Sequence, residues 1–78
     1  MPTYLDGHDL GNTTEEQIKK AQNAPADEFG ITHKNMFYNL EENKFYCLLE
    51  APSKEAIQKH HQKAGLECDW ITEVKTSA

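Results

Sequence analysis

Arginine is absent from the chain, and lysine alone supplies its eight basic side chains. Against 13 Asp and Glu residues this leaves a net charge of −5 and a pI near 5.2. That balance argues against nucleic acid, whose partners are basic and often present Arg forks to phosphates, and against anionic membranes. Long apolar runs are missing too. Nothing approaches the roughly 18–20 residues of a membrane span, and MPTYLDGHDL has no signal-peptide core, so a soluble, cytoplasmic protein is expected. Cysteine is limited to Cys47 and Cys68 with no CxxC pair, too few for a disulfide scaffold, and two reduced thiols are expected. The four glycines are scattered and build no phosphate loop. Ser53 reads as a helix cap and Ser77 lies in the tail, which leaves no serine for a hydrolase triad. At 78 residues and a mean hydropathy of −0.81, residues 1–78 read as one domain near the lower size limit for a self-sufficient core.

What is present has a readable order. Residues 3–8 are extended and end at a Gly11-Asn12 turn. Thr13-Thr14-Glu15-Glu16 matches a capping box with Thr13 as N-cap and Glu16 three residues on, and Pro25 ends that helix near Asn23. Residues 31–39 read as a second strand and 40–43 as a hairpin loop. Phe45 to Leu49 is the strongest apolar run and predicts a central strand covered on both faces, with Cys47 in the core. Ser53 caps a second helix, Ala56, Ile57, His60, His61 and Ala64 form its inner stripe, and Gly65 stops it. Residues 70–74 make the last strand. The order βαββαβ predicts an α+β, ferredoxin-like split βαβ sandwich: a four-stranded antiparallel sheet with two helices on one face. The opposite face is left bare, and a second copy is expected to cover it, giving a homodimer of the dimeric-barrel kind.

The four histidines matter by position. Strand alternation puts Asp6 and His8 on one face, about 7 Å apart. Taking the first and third strands as parallel neighbours, Glu50 closes the third as His8 closes the first and stands beside that pair. The second helix offers His60 and His61; periodicity does not decide between them, and two adjacent histidines cannot both point squarely inward. Carboxylate with imidazole suits nickel, zinc, cobalt or copper(II) with positions left for water. The same residues also read as a solvated strand end, with Glu50 accepting backbone N–H groups at the start of helix two. His33 reads as surface or interface. A Cys47/His61 dyad would sit mid-strand, where a substrate has trouble reaching the thiol, and an Asp6/Glu50 acid–base pair has no evident substrate.

Tyr-Leu-Asp-Gly-His-Asp at 4–9, Phe-Tyr-Cys-Leu-Leu-Glu-Ala-Pro-Ser at 45–53 and His-Gln-Lys-Ala-Gly at 61–65 occur in this order. Over nearly the whole chain they resemble the small nickel-binding proteins of the ferredoxin-like class, long catalogued as a domain of unknown function. The Tyr-Cys-Leu-x-Glu-Ala-Pro stretch is the most specific part. The resemblance implies Asp6, His8, Glu50 and His61 as metal ligands, Cys47 as a further one, and a dimer; it favours His61 over His60. Cys47 faces opposite to Glu50 along an unbulged strand, which sets those two apart. Where the family carries histidine in the first helix and after the helix-two glycine, this chain reads Lys20-Ala21-Gln22 and Leu66 to Thr72, which implies fewer metal sites, a weaker site or a different metal.

Two functions follow as expectations. The first is a cytoplasmic dimer that binds a divalent transition metal, nickel before Cu²⁺, Zn²⁺ or Co²⁺, for sequestration, buffering or delivery rather than catalysis. The second is a small dimeric barrel enzyme, of the monooxygenase or decarboxylase kind, enclosing an apolar ligand among Tyr4, Phe37, Tyr46 and Trp70 with Asp6 or His8 as base.

Overall fold

The computed structural model describes residues 1–65 and 68–77. Its elements are β1 (Thr3–Asp9), α1 (Glu15–Asn23), β2 (Thr32–Asn39), β3 (Lys44–Glu50), α2 (Lys54–Ala64) and β4 (Trp70–Val74). Each boundary has a local cause. The capping box of α1 sits one residue later than the sequence pattern suggested: Thr14 Oγ1 accepts the Gln17 N–H, and Gln17 Oε1 accepts the Thr14 N–H. Ala24, held extended before Pro25, ends the helix. Ser53 Oγ accepts the Ala56 N–H at the start of α2, and Gly65, at φ +73°, closes it in the left-handed region that a residue without Cβ enters freely. Among the described residues no helix is long and apolar enough to cross a membrane.

The sheet order is β2-β3-β1-β4, and every neighbouring pair is antiparallel. This is the ferredoxin-like α+β arrangement. It also corrects the parallel pairing assumed for β1 and β3. Two parallel strands, β1 and β2, are joined through α1, and the hairpin strand β3 enters between them running the other way. Cross-strand partners share a face, so the register divides the side chains cleanly. Tyr4, Asp6 and His8 lie with Leu49, Cys47 and Phe45 on the helix side, where Ile18, Ile31, Ile57 and Ile71 complete the core. Leu5, Gly7, Tyr46, Leu48, Phe37 and Trp70 take the other side.

β3 is central in the sheet but covered on one face only. Tyr46, Phe37 and Trp70 remain exposed on the helix-free side, against the expectation of a doubly covered strand. Trp70 lies flat over Gly7, where an added Cβ would stand 2.6 Å from the indole ring. In β2 the register shifts between His33 and Asn35, leaving Lys34 as an extra residue. Gln22 of α1 donates to the carbonyls of His33 and Lys34 and ties this bulge down. Simple alternation would put His33 and Met36 on opposite faces; the bulge turns both toward the helices.

Candidate metal centre

Asp6 is the middle residue of the helix-side face, paired with Cys47 on one flank and Ile71 on the other. Its side chain is fully buried. Neither carboxylate oxygen has a hydrogen-bond partner among the described residues. Buried polar groups are nearly always hydrogen-bonded, and a buried carboxyl group compensated only by contacts with neighbouring side chains is a costly exception. What surrounds it instead is a set of soft and borderline donors. His61 Nε2 lies 3.3 Å from Oδ2 and His8 Nε2 lies 3.8 Å from Oδ1. Cys47 Sγ stands 4.0 Å from His8 Nε2. Asp6, His8 and Cys47 each offer one donor atom within 4.8 Å of the others, and Asp6, His61 and Cys68 form a second such set.

The histidines are oriented by different means. His8 Nδ1 is 3.0 Å from its neighbour's carbonyl, Asp9 O, and a donated N–H there leaves Nε2 as the nitrogen facing Asp6 and Cys47. His61, on α2, points inward because its position falls on the same stripe as Ile57, one turn earlier; its Nδ1 is buried and has no partner among the described residues. Of the expected inner stripe, Ile57 and His61 are buried, Ala56 and His60 are half-buried, and Ala64 is exposed. His60 sits at the helix edge, where its Nδ1 lies 2.5 Å from Asp27 Oδ2.

Burial, and then the nearby Asp6 charge, push the Cys47 thiol far above the ordinary cysteine range. The same causes raise Cys68 to about 11. Neither is an activated nucleophile. Ligation of a metal by either thiol would require the cation to displace that proton.

Glu50 is not part of this group. In the antiparallel register it pairs with Thr3, at the end of β1 away from His8, and its carboxylate lies 3.6 Å from Lys34 Nζ with both side chains solvent-accessible. The expectation that it stands beside Asp6 and His8 fell with the parallel pairing. Tyr4 also faces the helices, so it cannot line an enclosure with Phe37, Tyr46 and Trp70, which occupy the opposite face.

Nothing in the sequence spacing marks Cys68 as a ligand, yet its half-buried sulfur reaches the Asp6/His61 side from the segment before β4. Sequence reasoning missed Asp27 altogether. The Asp-x-Phe-Gly-Ile stretch was the available signal: Asp27 Oδ1 accepts the N–H groups of Phe29 and Ile31 in a turn that a short polar side chain favours. His33, expected at the surface, is half-buried and packs edge-to-face on His60. Of the departures from the family pattern, Leu66 and Glu67 lie outside the described residues.

Comparison with known proteins agrees with this picture. The chain superposes on the crystal structure of SCO4226 from Streptomyces coelicolor A3(2) with a TM-score of 0.76, at 30% sequence identity and over 97% of this chain and 99% of the other. No curated protein matches it. Residues 4–74 match the family model described as nickel responsive protein SCO4226-like, and the chain belongs to that family.

Proposed function

We propose that the protein binds a divalent transition metal, nickel first, as cargo to be sequestered, buffered or delivered, with Asp6, His8 and His61 as principal ligands and Cys47 and Cys68 flanking them. The Asp6 carboxylate carries this reading. A carboxyl group fully buried with only the 3.3 Å and 3.8 Å contacts to His61 and His8 Nε2, and flanked by two thiols, is incompletely compensated, and a cation there would turn those groups into ligands. Mixed imidazole, carboxylate and sulfur donors fit nickel, copper, cobalt or zinc and fit hard oxygen-seeking ions poorly. The description of the family as nickel responsive supports putting nickel first among them. Free thiols at Cys47 and Cys68 accord with a reducing, cytoplasmic setting, and the net charge of −5 accords with a partner that is not nucleic acid.

The same proposal includes a homodimer through the bare sheet face. Phe37, Tyr46 and Trp70 are each more than a third exposed on one side of the sheet, a concentration of aromatic surface that a second copy would cover. The metal ligands lie on the other side, so dimerisation would leave the route to them through the helices open.

Calorimetric titration of the stripped protein with Ni²⁺, Cu²⁺, Co²⁺ and Zn²⁺ tests the function. Submicromolar, stoichiometric binding that is lost in the His8→Ala, His61→Ala double variant is the expected result. Binding no tighter than millimolar, or unchanged binding in that variant, overturns it.

A further inference from the structure

We infer that His33 and His60, backed by Asp27, form an outer metal-binding station through which a divalent transition ion passes to and from the Asp6 centre. The inference rests on the metal-binding reading above and adds its route.

A cavity of about 350 Å³ opens between α1, α2 and the sheet. Beyond Gln17 and Ile18, α1 and the residues after it bring the small Ala21, Ala24 and Pro25 over this part of the sheet, where larger side chains would close the space. Its polar lining is concentrated in His8, His33, His60, His61 and Asp27. These imidazoles form an unbroken series. Ring centroids are 5.9 Å apart from His33 to His60, 5.8 Å from His60 to His61 and 5.3 Å from His61 to His8. Exposure falls along it, from 26% for the His60 side chain to 5% for His61 and 1% for His8.

Two imidazoles that share one ion, at metal–nitrogen distances of about 2.0–2.1 Å, hold their ring centroids between about 4.5 Å apart at right angles and about 6.4 Å in trans. Every step of the series falls within that span. With the ring nitrogens turned toward one another, an ion would gain the next imidazole before it gives up the last and would not be stripped of donors inside the cavity.

The outer pair is built for this. Asp27 is fixed by the Phe29 and Ile31 N–H groups on Oδ1, and its Oδ2 takes the Nδ1 side of His60. That leaves His60 Nε2 as the available nitrogen, in the carboxylate–histidine arrangement that orients metal-binding imidazoles elsewhere. The bulge at Lys34 brings His33 to the same side. His61 joins the two stages, since Nε2 faces Asp6 while Nδ1 is buried without a partner. Two imidazoles without a third protein donor hold an ion loosely, which a station for passage requires.

Stopped-flow mixing with Ni²⁺ alone, followed by release into excess chelator, tests the inference on wild type and on the His33→Gln, His60→Gln double variant. Association and release should both slow at least about ten-fold while the equilibrium affinity holds, because a passage group changes rates in both directions and not the end states. Asp27→Asn, which keeps both imidazoles but loosens His60, should slow both rates by a smaller factor and serves if the double variant folds poorly by circular dichroism. Wild-type rates in both variants overturn the station. So does a loss of affinity at unchanged association rate, which would place His33 and His60 in the final site. A wild-type protein that binds none of Ni²⁺, Cu²⁺, Co²⁺ and Zn²⁺ overturns the Asp6 centre itself, and the station with it.

Discussion

His61 of α2 and Asp6 of β1 meet at 3.3 Å, Nε2 to Oδ2, both buried. The pairing settles which face of the sheet carries the polar cluster. A helix-borne imidazole reaches only the helix side, and so Asp6, His8 and Cys47 belong to the interior between sheet and helices and not to the open face.

Asp6→Asn should separate stability from binding. The amide keeps the shape of the side chain, loses the buried charge and gains N–H groups that can donate to His61 Nε2. Unfolding of the metal-free variant in urea should show a gain of about 1–3 kcal/mol, while calorimetry shows its nickel binding lost. A variant less stable than wild type would mean that the His61 and His8 contacts of the carboxylate outweigh the cost of burying it.

Acid should destabilise the protein in two separate windows. Burial first, and the neighbouring His60 second, lower the pKa of His33. The unfolded chain then binds the extra proton at higher pH than the native one, so the His33 contribution is intact above about 6.5 and is lost as pH falls through the depressed native value. Asp27 also titrates low: burial opposes this, but the N–H groups of Ile31 and Phe29 and then His60 outweigh it. Its contribution is intact above about 3.9 and disappears as pH falls below that. Urea midpoints of the metal-free protein measured against pH should show both declines, and His33→Gln should flatten only the upper one.

Thiol chemistry should be slow. With Cys68 raised to about 11, its thiolate fraction at mildly alkaline pH is on the order of a hundred-fold below that of a free cysteine. Reaction with a chromogenic disulfide should be slower in proportion, and Cys47, buried and higher still, should react only on unfolding. Fast labelling of both in the native protein would contradict the described packing.

The exposed aromatics predict an oligomeric change. Phe37→Glu with Trp70→Glu should convert a dimer to a monomer in sedimentation equilibrium, with unchanged far-ultraviolet circular dichroism, because neither side chain contributes to the core between sheet and helices. Removing two buried side chains at about 1.5–3 kcal/mol each corresponds to a loss of at least about a hundred-fold in affinity. A wild-type chain that sediments as a monomer would remove the dimer from the proposal.

The elements were legible because each carried its own punctuation. Pro25, Ser53 and Gly65 mark helix ends by backbone chemistry that no distant contact overrides, and the 3.6-residue stripe that holds Ile57 also holds His61. The element order already implied an antiparallel sheet, but the residues around Glu50 carry no sign of strand direction, and the site was read with β1 and β3 parallel. Nothing local distinguishes a parallel from an antiparallel neighbour, and placing Glu50 next to His8 or next to Thr3 turns wholly on that choice. The bulge at Lys34 escaped for a related reason, since it depends on Gln22 reaching back from α1 to the carbonyls of β2. Asp27 is locked onto His60 by a fold-dependent approach of residues 33 apart in the chain, which no spacing rule contains.

The donors around Asp6 come from β1, β3, α2 and the segment before β4, and so from stretches of backbone spread between residues 6 and 68. Anything that grips them together acts as a topological staple. It closes long loops of the unfolded chain at an entropy cost that then disfavours unfolding, as a disulfide does in small secreted domains. For a 78-residue chain with little apolar surface to bury, occupancy of that point would add directly to the stability of the fold. Cellular metal supply would then set how long the protein survives as well as what it carries.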